Sequence, residues 1–104
     1  MNRDRELTNY LFNHPEHLVL MKSKVMGKVI QTLDKQAASV SELQQEIPQM
    51  NPNDIREVLN VFKQLQLVEE LNIKGKVIFY TTDLGKEFIK HYELAREEFQ
   101  EEFT

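Results

Sequence analysis

Asn53, Arg56, Asn60 and Lys63 recur at steps of three, four and three residues. On an α-helix that spacing places them on one stripe, and each of the four side chains can donate hydrogen bonds to phosphate oxygens or base edges. The chemistry they offer is recognition of a polyanion, although a polar stripe opposite a core face is also the ordinary solvated side of an amphipathic helix. Other reactive residues are sparse. His14, Glu16 and His17 lie close in sequence and His91 stands alone, but without cysteine or a recognised ligand spacing they indicate a metal only weakly. There is no Gly-rich phosphate loop and no Ser, His and acid set at catalytic spacing. The expectation is therefore a binding protein, with no catalytic residue, no cofactor and no enzyme activity.

The stripe needs a helix held by a core. Residues 41–65, SELQQEIPQMNPNDIREVLNVFKQL, read as two short helices joined by a tight turn, a helix-turn-helix arrangement. Ser41 is the expected cap of the first helix, with Gln44 reaching back to it. Leu43 and Ile47 face one side, and Pro48 ends the helix. Asn51 caps the second helix, Pro52 takes its first position and Asp54 adds negative charge to its first turn. Ile55, Val58, Leu59, Phe62 and Leu65 form the core face, turned away from the polar stripe.

The whole chain sets the bounds. Its 104 residues fit one domain that buries about two-thirds of its unfolded surface. No apolar run approaches the roughly 20 residues of a membrane span, and the start, MNRDREL, lacks a signal-peptide core. With no cysteine, the expected setting is the cytoplasm, with no membrane association. The net charge of −4 is local: residues 93–104 carry five Glu and one Arg, leaving twelve basic and twelve acidic side chains before them. A neutral body can still turn a basic edge toward an anionic partner, since charges farther away than about 10 Å are screened.

Around the central motif, residues 4–12 read as a short helix, an N-terminal arm ended by Asn13-His14-Pro15. A longer helix is expected from Pro15 or Glu16 to Lys35, carrying Leu18, Met21, Val25, Val29, Ile30 and Leu33, with a break near 22–24 as an alternative. It holds Lys22, Lys24, Lys28 and Lys35, and Gly27 weakens it by about 1 kcal/mol. Residues 37–40 read as a brief edge strand. Residues 67–73 and 76–81 read as a hairpin, with Leu67, Leu71 and Ile73 on one face against Val77 and Phe79. Gly75 suits a type I turn with a bulge, which puts Lys74 and Lys76 at the tip. Thr82 or Asp83 caps a last helix over 84–103. Phe88, Tyr92, Ala95 and Phe99 form a seam about two heptads long, expected to be a coiled-coil-like dimerisation surface, the alternative being packing on its own domain. A small-molecule effector pocket lined by Tyr10, Phe12, Tyr92 and Phe99 is a further option.

This order of elements over residues 18–103 resembles the winged helix-turn-helix domain. Residues 65–69, LQLVE, look like a recognition helix running into the wing. Residues 80–88, YTTDLGKEF, are similar to the segment joining wing to C-terminal helix in MarR-like, PadR-like and archaeal coiled-coil winged-helix proteins. The resemblance implies an α+β, mostly α fold with a short β-hairpin wing and a long C-terminal helix. Its parts are an arm (1–14), a winged-helix core (15–82) and a dimerisation helix (83–104). It further implies that Tyr80 ends the wing, Thr82 caps the last helix and Gly85 permits close packing. Where such families usually carry Gly after the recognition helix this chain has Gln66, and a left-handed non-Gly residue there costs about 1 kcal/mol.

Functionally, the resemblance implies a homodimeric regulator of transcription that binds double-stranded DNA, with its second motif helix in the major groove and the wing alongside. Carried over residue by residue, Asn53, Arg56 and Asn60 would stand near bases, Ser41 and Lys63 near phosphate, and Lys74 and Lys76 on the wing. The competing expectation is a winged-helix module that binds a protein partner without touching DNA, with Glu57, Glu69 and Glu70 meeting a basic surface.

Overall fold

The computed structural model describes residues 2–98; Phe99 and the rest of the Glu-rich end, including part of the expected dimer seam, lie outside the described residues. The elements run α1 (Asn2–Asn13), α2 (His17–Met21), α3 (Lys24–Lys35), α4 (Val40–Glu46), α5 (Pro52–Gln64), β1 (Val68–Ile73), β2 (Lys76–Thr81) and α6 (Asp83–Glu98).

Helix starts follow local capping chemistry, in one case from a different serine than expected. Asn51 caps α5 by accepting the Asp54 N–H at 2.8 Å, and Pro52 opens the helix. In α4 the cap is Ser39. Its hydroxyl accepts the Glu42 N–H at 3.2 Å while the Glu42 carboxylate accepts the Ser39 N–H at 2.9 Å. Ser41, the expected cap, lies inside the helix. The ionised Glu42 is a stronger reciprocal acceptor than the Gln44 amide and favours the positive helix start, so Ser39 is selected. The long helix expected over 16–35 is two helices. Ser23 interrupts it and caps α3 through the Met26 N–H at 3.1 Å. That break shifts the phase of the apolar repeat: Val29, Ile30 and Leu33 are buried, whereas Leu18 and Val25 are exposed.

The wing also corrects the expected pairing. β1 and β2 are antiparallel with Leu71 opposite Ile78, Asn72 opposite Val77 and Ile73 opposite Lys76. Leu71 and Ile73 therefore lie on the face opposite Val77 and Phe79. The connection is the two-residue Lys74-Gly75, both left-handed at φ 54° and 86°, as a type I′ turn requires in place of the bulged type I turn. Asn72 accepts the Gly75 N–H at 2.9 Å and steadies it. The expected edge strand contracts to one bridge, in which Ala38 and Phe79 exchange N–H···O bonds of 3.0 and 2.8 Å. Val40, assigned to that strand in the sequence reading, starts α4 instead.

The last helix lies against α1, α2 and α3. Phe88 and Ala95 have no exposed surface and Tyr92 is 2% exposed. The three described members of the dimer seam are thus enclosed by their own chain, and the packing-back alternative holds for them. Gly27 makes this approach feasible: a Cβ there would stand 2.0 Å from the Tyr92 hydroxyl. The expected effector pocket is likewise not formed by its described members, because Tyr10 and Tyr92 are buried in the core and Phe12 points away at 86% exposure.

Helix α5 ends in a left-handed turn at Gln66, φ 63°. The Gln66 N–H donates to Lys63 O at 3.0 Å and the Leu67 N–H to Phe62 O at 2.9 Å, the paired bonds of a Schellman termination. The resemblance anticipated strain here, and the Gln66 side chain is exposed. Gln66→Gly is therefore expected to stabilise the domain by about 1 kcal/mol, raising Tm by roughly 4–8 °C. A thermal melt that is unchanged or lower would show that the turn carries no strain.

Candidate nucleic-acid interface

Burial decides what α5 offers. Ile55, Leu59 and Phe62 are fully buried on one side, leaving Asn53, Arg56 and Asn60 exposed and Lys63 half-buried. Short α4 crosses on one flank and the wing stands on the other. Between them runs a groove lined by Ser41, Arg56, Asn60, Lys63 and Glu70, with Phe79 at its floor. The fold thus gathers four of the seven residues named from the sequence around one concavity. Asn53 stands outside that lining but is tied to it, its Oδ1 accepting Arg56 Nη1 at 3.1 Å. Lys74 and Lys76 lie apart, at the hairpin turn.

Two lysines of this face already have internal partners. The Lys63 ammonium is paired with the Glu70 carboxylate of β1. Lys76 reaches Glu42 of α4 at 3.4 Å, a contact linking wing to helix. Hydrogen bonds from the Ser39 backbone N–H and side chain hold the Glu42 carboxyl below the usual carboxylate range, with Lys76 contributing less. Glu42 therefore stays ionised at neutral pH. Exposed pairs of this kind contribute only about 0–1 kcal/mol, so an incoming phosphate can displace them at small cost. The wing itself is more apolar than basic, for Leu71, Ile73 and Val77 are 51%, 47% and 37% exposed.

Two contacts of this region differ from expectation. Glu70, expected to repel phosphate and meet a basic partner, pairs with Lys63 across the helix-to-strand turn, where no periodicity predicts contact. Ser39 with Glu42 was legible as an S-x-x-E pattern three residues apart, overlooked in favour of Ser41. The donors His14, Glu16 and His17 come together at the α1–α2 junction, outside α4, α5 and the wing.

No family model and no curated protein matches the chain. Solved structures do. The reduced form of the transcriptional regulator YodB from B. subtilis superposes with a TM-score of 0.73 at 20% identity, covering 86% of this chain and 89% of that one. YusO from Bacillus subtilis gives 0.70 at 19%, over 96% and 78%. The transcriptional repressor BigR from Xylella fastidiosa gives 0.63 at 19%, over 96% and 97%. At these identities the likeness concerns the fold, which is the winged helix-turn-helix with a β-hairpin wing and a following helix. Among the described residues no helix is long and apolar enough to cross a membrane.

The electrostatics of the groove can be tested directly. Glu70→Gln releases Lys63 and removes a charge that repels phosphate, so affinity for a mixed-sequence DNA duplex should rise by up to about fivefold, the equivalent of about 1 kcal/mol. Equal affinity of variant and parent would mean that Glu70 does not compete with phosphate for Lys63.

Proposed function

We propose that this winged-helix chain is a DNA-binding regulator of transcription. In this reading α5 enters the major groove, with Asn53, Arg56 and Asn60 facing base edges, Ser41 and Lys63 on phosphate, and Lys74 and Lys76 reaching the backbone from the wing. The observation carrying the reading is the groove in which Ser41, Arg56, Asn60 and Lys63 stand together beside the wing. The similar folds of a transcriptional regulator and a transcriptional repressor support it. On this face Arg56, Lys63, Lys74 and Lys76 imply few phosphate contacts, hence modest non-specific affinity and greater dependence on base readout.

Assembly as a homodimer belongs to the same proposal, with its surface relocated. The 88, 92 and 95 side chains are core, whereas α1 and α2 present Phe12 and Val19 at 86% and 73% exposure. Apolar groups so exposed are the kind that a second copy would cover.

A second reading has its own observation. The exposed Leu71, Ile73 and Val77 of the wing, beside Glu69 and Glu70, suit a protein partner with apolar and basic groups better than they suit phosphate.

Fluorescence anisotropy of a mixed-sequence duplex of about 30 base pairs, titrated at roughly 50 and 200 mM salt, separates these readings; log affinity should fall by about 0.9 per phosphate contact for each decade of salt. Arg56→Ala and Lys63→Ala should each weaken binding while leaving stability within about 0.5 kcal/mol. If both variants bind as tightly as the parent, DNA recognition by α5 is refuted and the protein-partner reading takes its place. Sedimentation equilibrium tests assembly. The parent is expected to be dimeric, and Phe12→Ser with Val19→Ser should shift it toward monomer without loss of fold. A monomeric parent would remove the homodimer from the proposal.

A further inference from the structure

All three histidines of the chain meet around one side chain, Tyr10 of α1. The His14, His17 and His91 ring centroids lie 4.7, 5.5 and 4.0 Å from that of Tyr10, the last stacked nearly parallel at 13°. The Tyr10 hydroxyl is 2.8 Å from His17 Nδ1. His91 is occupied within its own helix, its Nδ1 standing 2.8 Å from the Glu87 carbonyl. His14 and His17 instead converge on a carboxylate. Glu16 Oε1 lies 3.5 Å from His17 Nε2 and 3.8 Å from His14 Nδ1, and one donor atom from each of the three residues lies within 4.8 Å of the others.

Among the described residues the carboxylate pairs only with these two histidines. Glu16 occupies the N-cap position of α2 but makes no capping hydrogen bond; its oxygen turns toward the imidazoles instead. His17 is 1% exposed, and its Nε2 faces the carboxylate at a distance too long for a good hydrogen bond.

We propose that His14 Nδ1, Glu16 Oε1 and His17 Nε2 form a binding site for a divalent transition-metal ion of the zinc class. Tetrahedral ligation with bonds of about 2.0–2.2 Å places neighbouring donor atoms roughly 3.3–3.5 Å apart. The His17–Glu16 edge is already there. The other edges require the His14 ring to turn out of its parallel stack on His17, where the centroids lie 4.9 Å apart; the His14 side chain is 31% exposed. Two imidazoles with one carboxylate suit zinc, cobalt or nickel, whereas magnesium and calcium favour all-oxygen sets. Tyr10 supplies the orienting contact such a site needs: with Nε2 on the metal, the ring proton sits on Nδ1 and is donated to the Tyr10 oxygen. Three protein ligands leave a coordination position for water or a further group. Because His14 precedes α2, His17 lies within it and Tyr10 belongs to α1, a bound ion would fasten α1 to α2.

Untagged protein, stripped with EDTA and desalted, is titrated with Zn²⁺ against a chromophoric chelator, with Mg²⁺ as control and circular dichroism to confirm folding. The expected result is one equivalent of Zn²⁺, no competition by Mg²⁺ and a Tm that rises with added zinc. Glu16→Gln and His14→Gln alter exposed or half-buried side chains and should each weaken zinc affinity at least about tenfold; Tyr10→Phe should weaken it by about 10- to 100-fold through loss of ring orientation. No zinc uptake by the parent overturns the proposal, as does uptake that both ligand variants retain at parental affinity.

Discussion

One hydroxyl closes the junction on which the geometry of the binding face depends. Thr82 Oγ1 donates to the Gln66 carbonyl at 2.6 Å and accepts the Gly85 N–H at 3.0 Å, while the Thr82 N–H donates to Leu67 O at 3.0 Å. The end of α5, the start of β1 and the first turn of α6 are thereby pinned at one point. Gly85 makes the closure sterically feasible, because a Cβ there would stand 2.1 Å from the Leu67 carbonyl oxygen. Gln66 accepts a left-handed conformation, at a cost of about 1 kcal/mol, so that the chain can reverse from helix into wing. Leu67 and Val68, just past the turn, are fully buried, so hydrophobic burial offsets the strain.

Given that junction, the binding face follows from amphipathicity and register. The buried side of α5 fixes its rotation, which leaves the polar stripe outward. The bridge between Ala38 and Phe79 holds the root of the wing beside α4, and the Lys76–Glu42 contact continues the link toward its tip. Electrostatics then tune the surface. A body with as many acidic as basic side chains has no broad attractive field, and the Lys63–Glu70 pair reduces what remains near the groove.

The C-terminal helix serves the core first. Its Phe88, Tyr92 and Ala95 fill the space against α1, α2 and α3, and the missing side chain at Gly27 leaves room for the end of the Tyr92 ring. Burial pushes the Tyr92 and Tyr10 hydroxyls above the usual tyrosine range, consistent with neutral aromatic packing. No buried side-chain polar atom among the described residues lacks a hydrogen-bond partner.

Much of this was readable before any coordinates. Asn51-Pro52 marks the start of α5, the 55, 59 and 62 spacing marks its buried side, Gly75 marks the hairpin and Thr82 with Gly85 marks the entry to α6. These are local signals, in which the interacting atoms lie within one turn of helix or one tight bend. The misreadings have a common cause, which is competition between local options of nearly equal merit. Ser39 and Ser41 both offer a cap, Ser23 can interrupt a continuous apolar repeat, and a seam spaced at three and four residues serves a partner helix or a domain core equally well. Sequence by itself determined the helix-turn-helix, the hairpin, the last helix and the polar stripe, because capping and periodicity act over a few residues. Only the tertiary structure decided that the α6 seam is internal, that Lys63 meets Glu70 and that His14, Glu16 and His17 converge. Those contacts depend on how separate elements pack, and side-chain chemistry read along one dimension does not specify it.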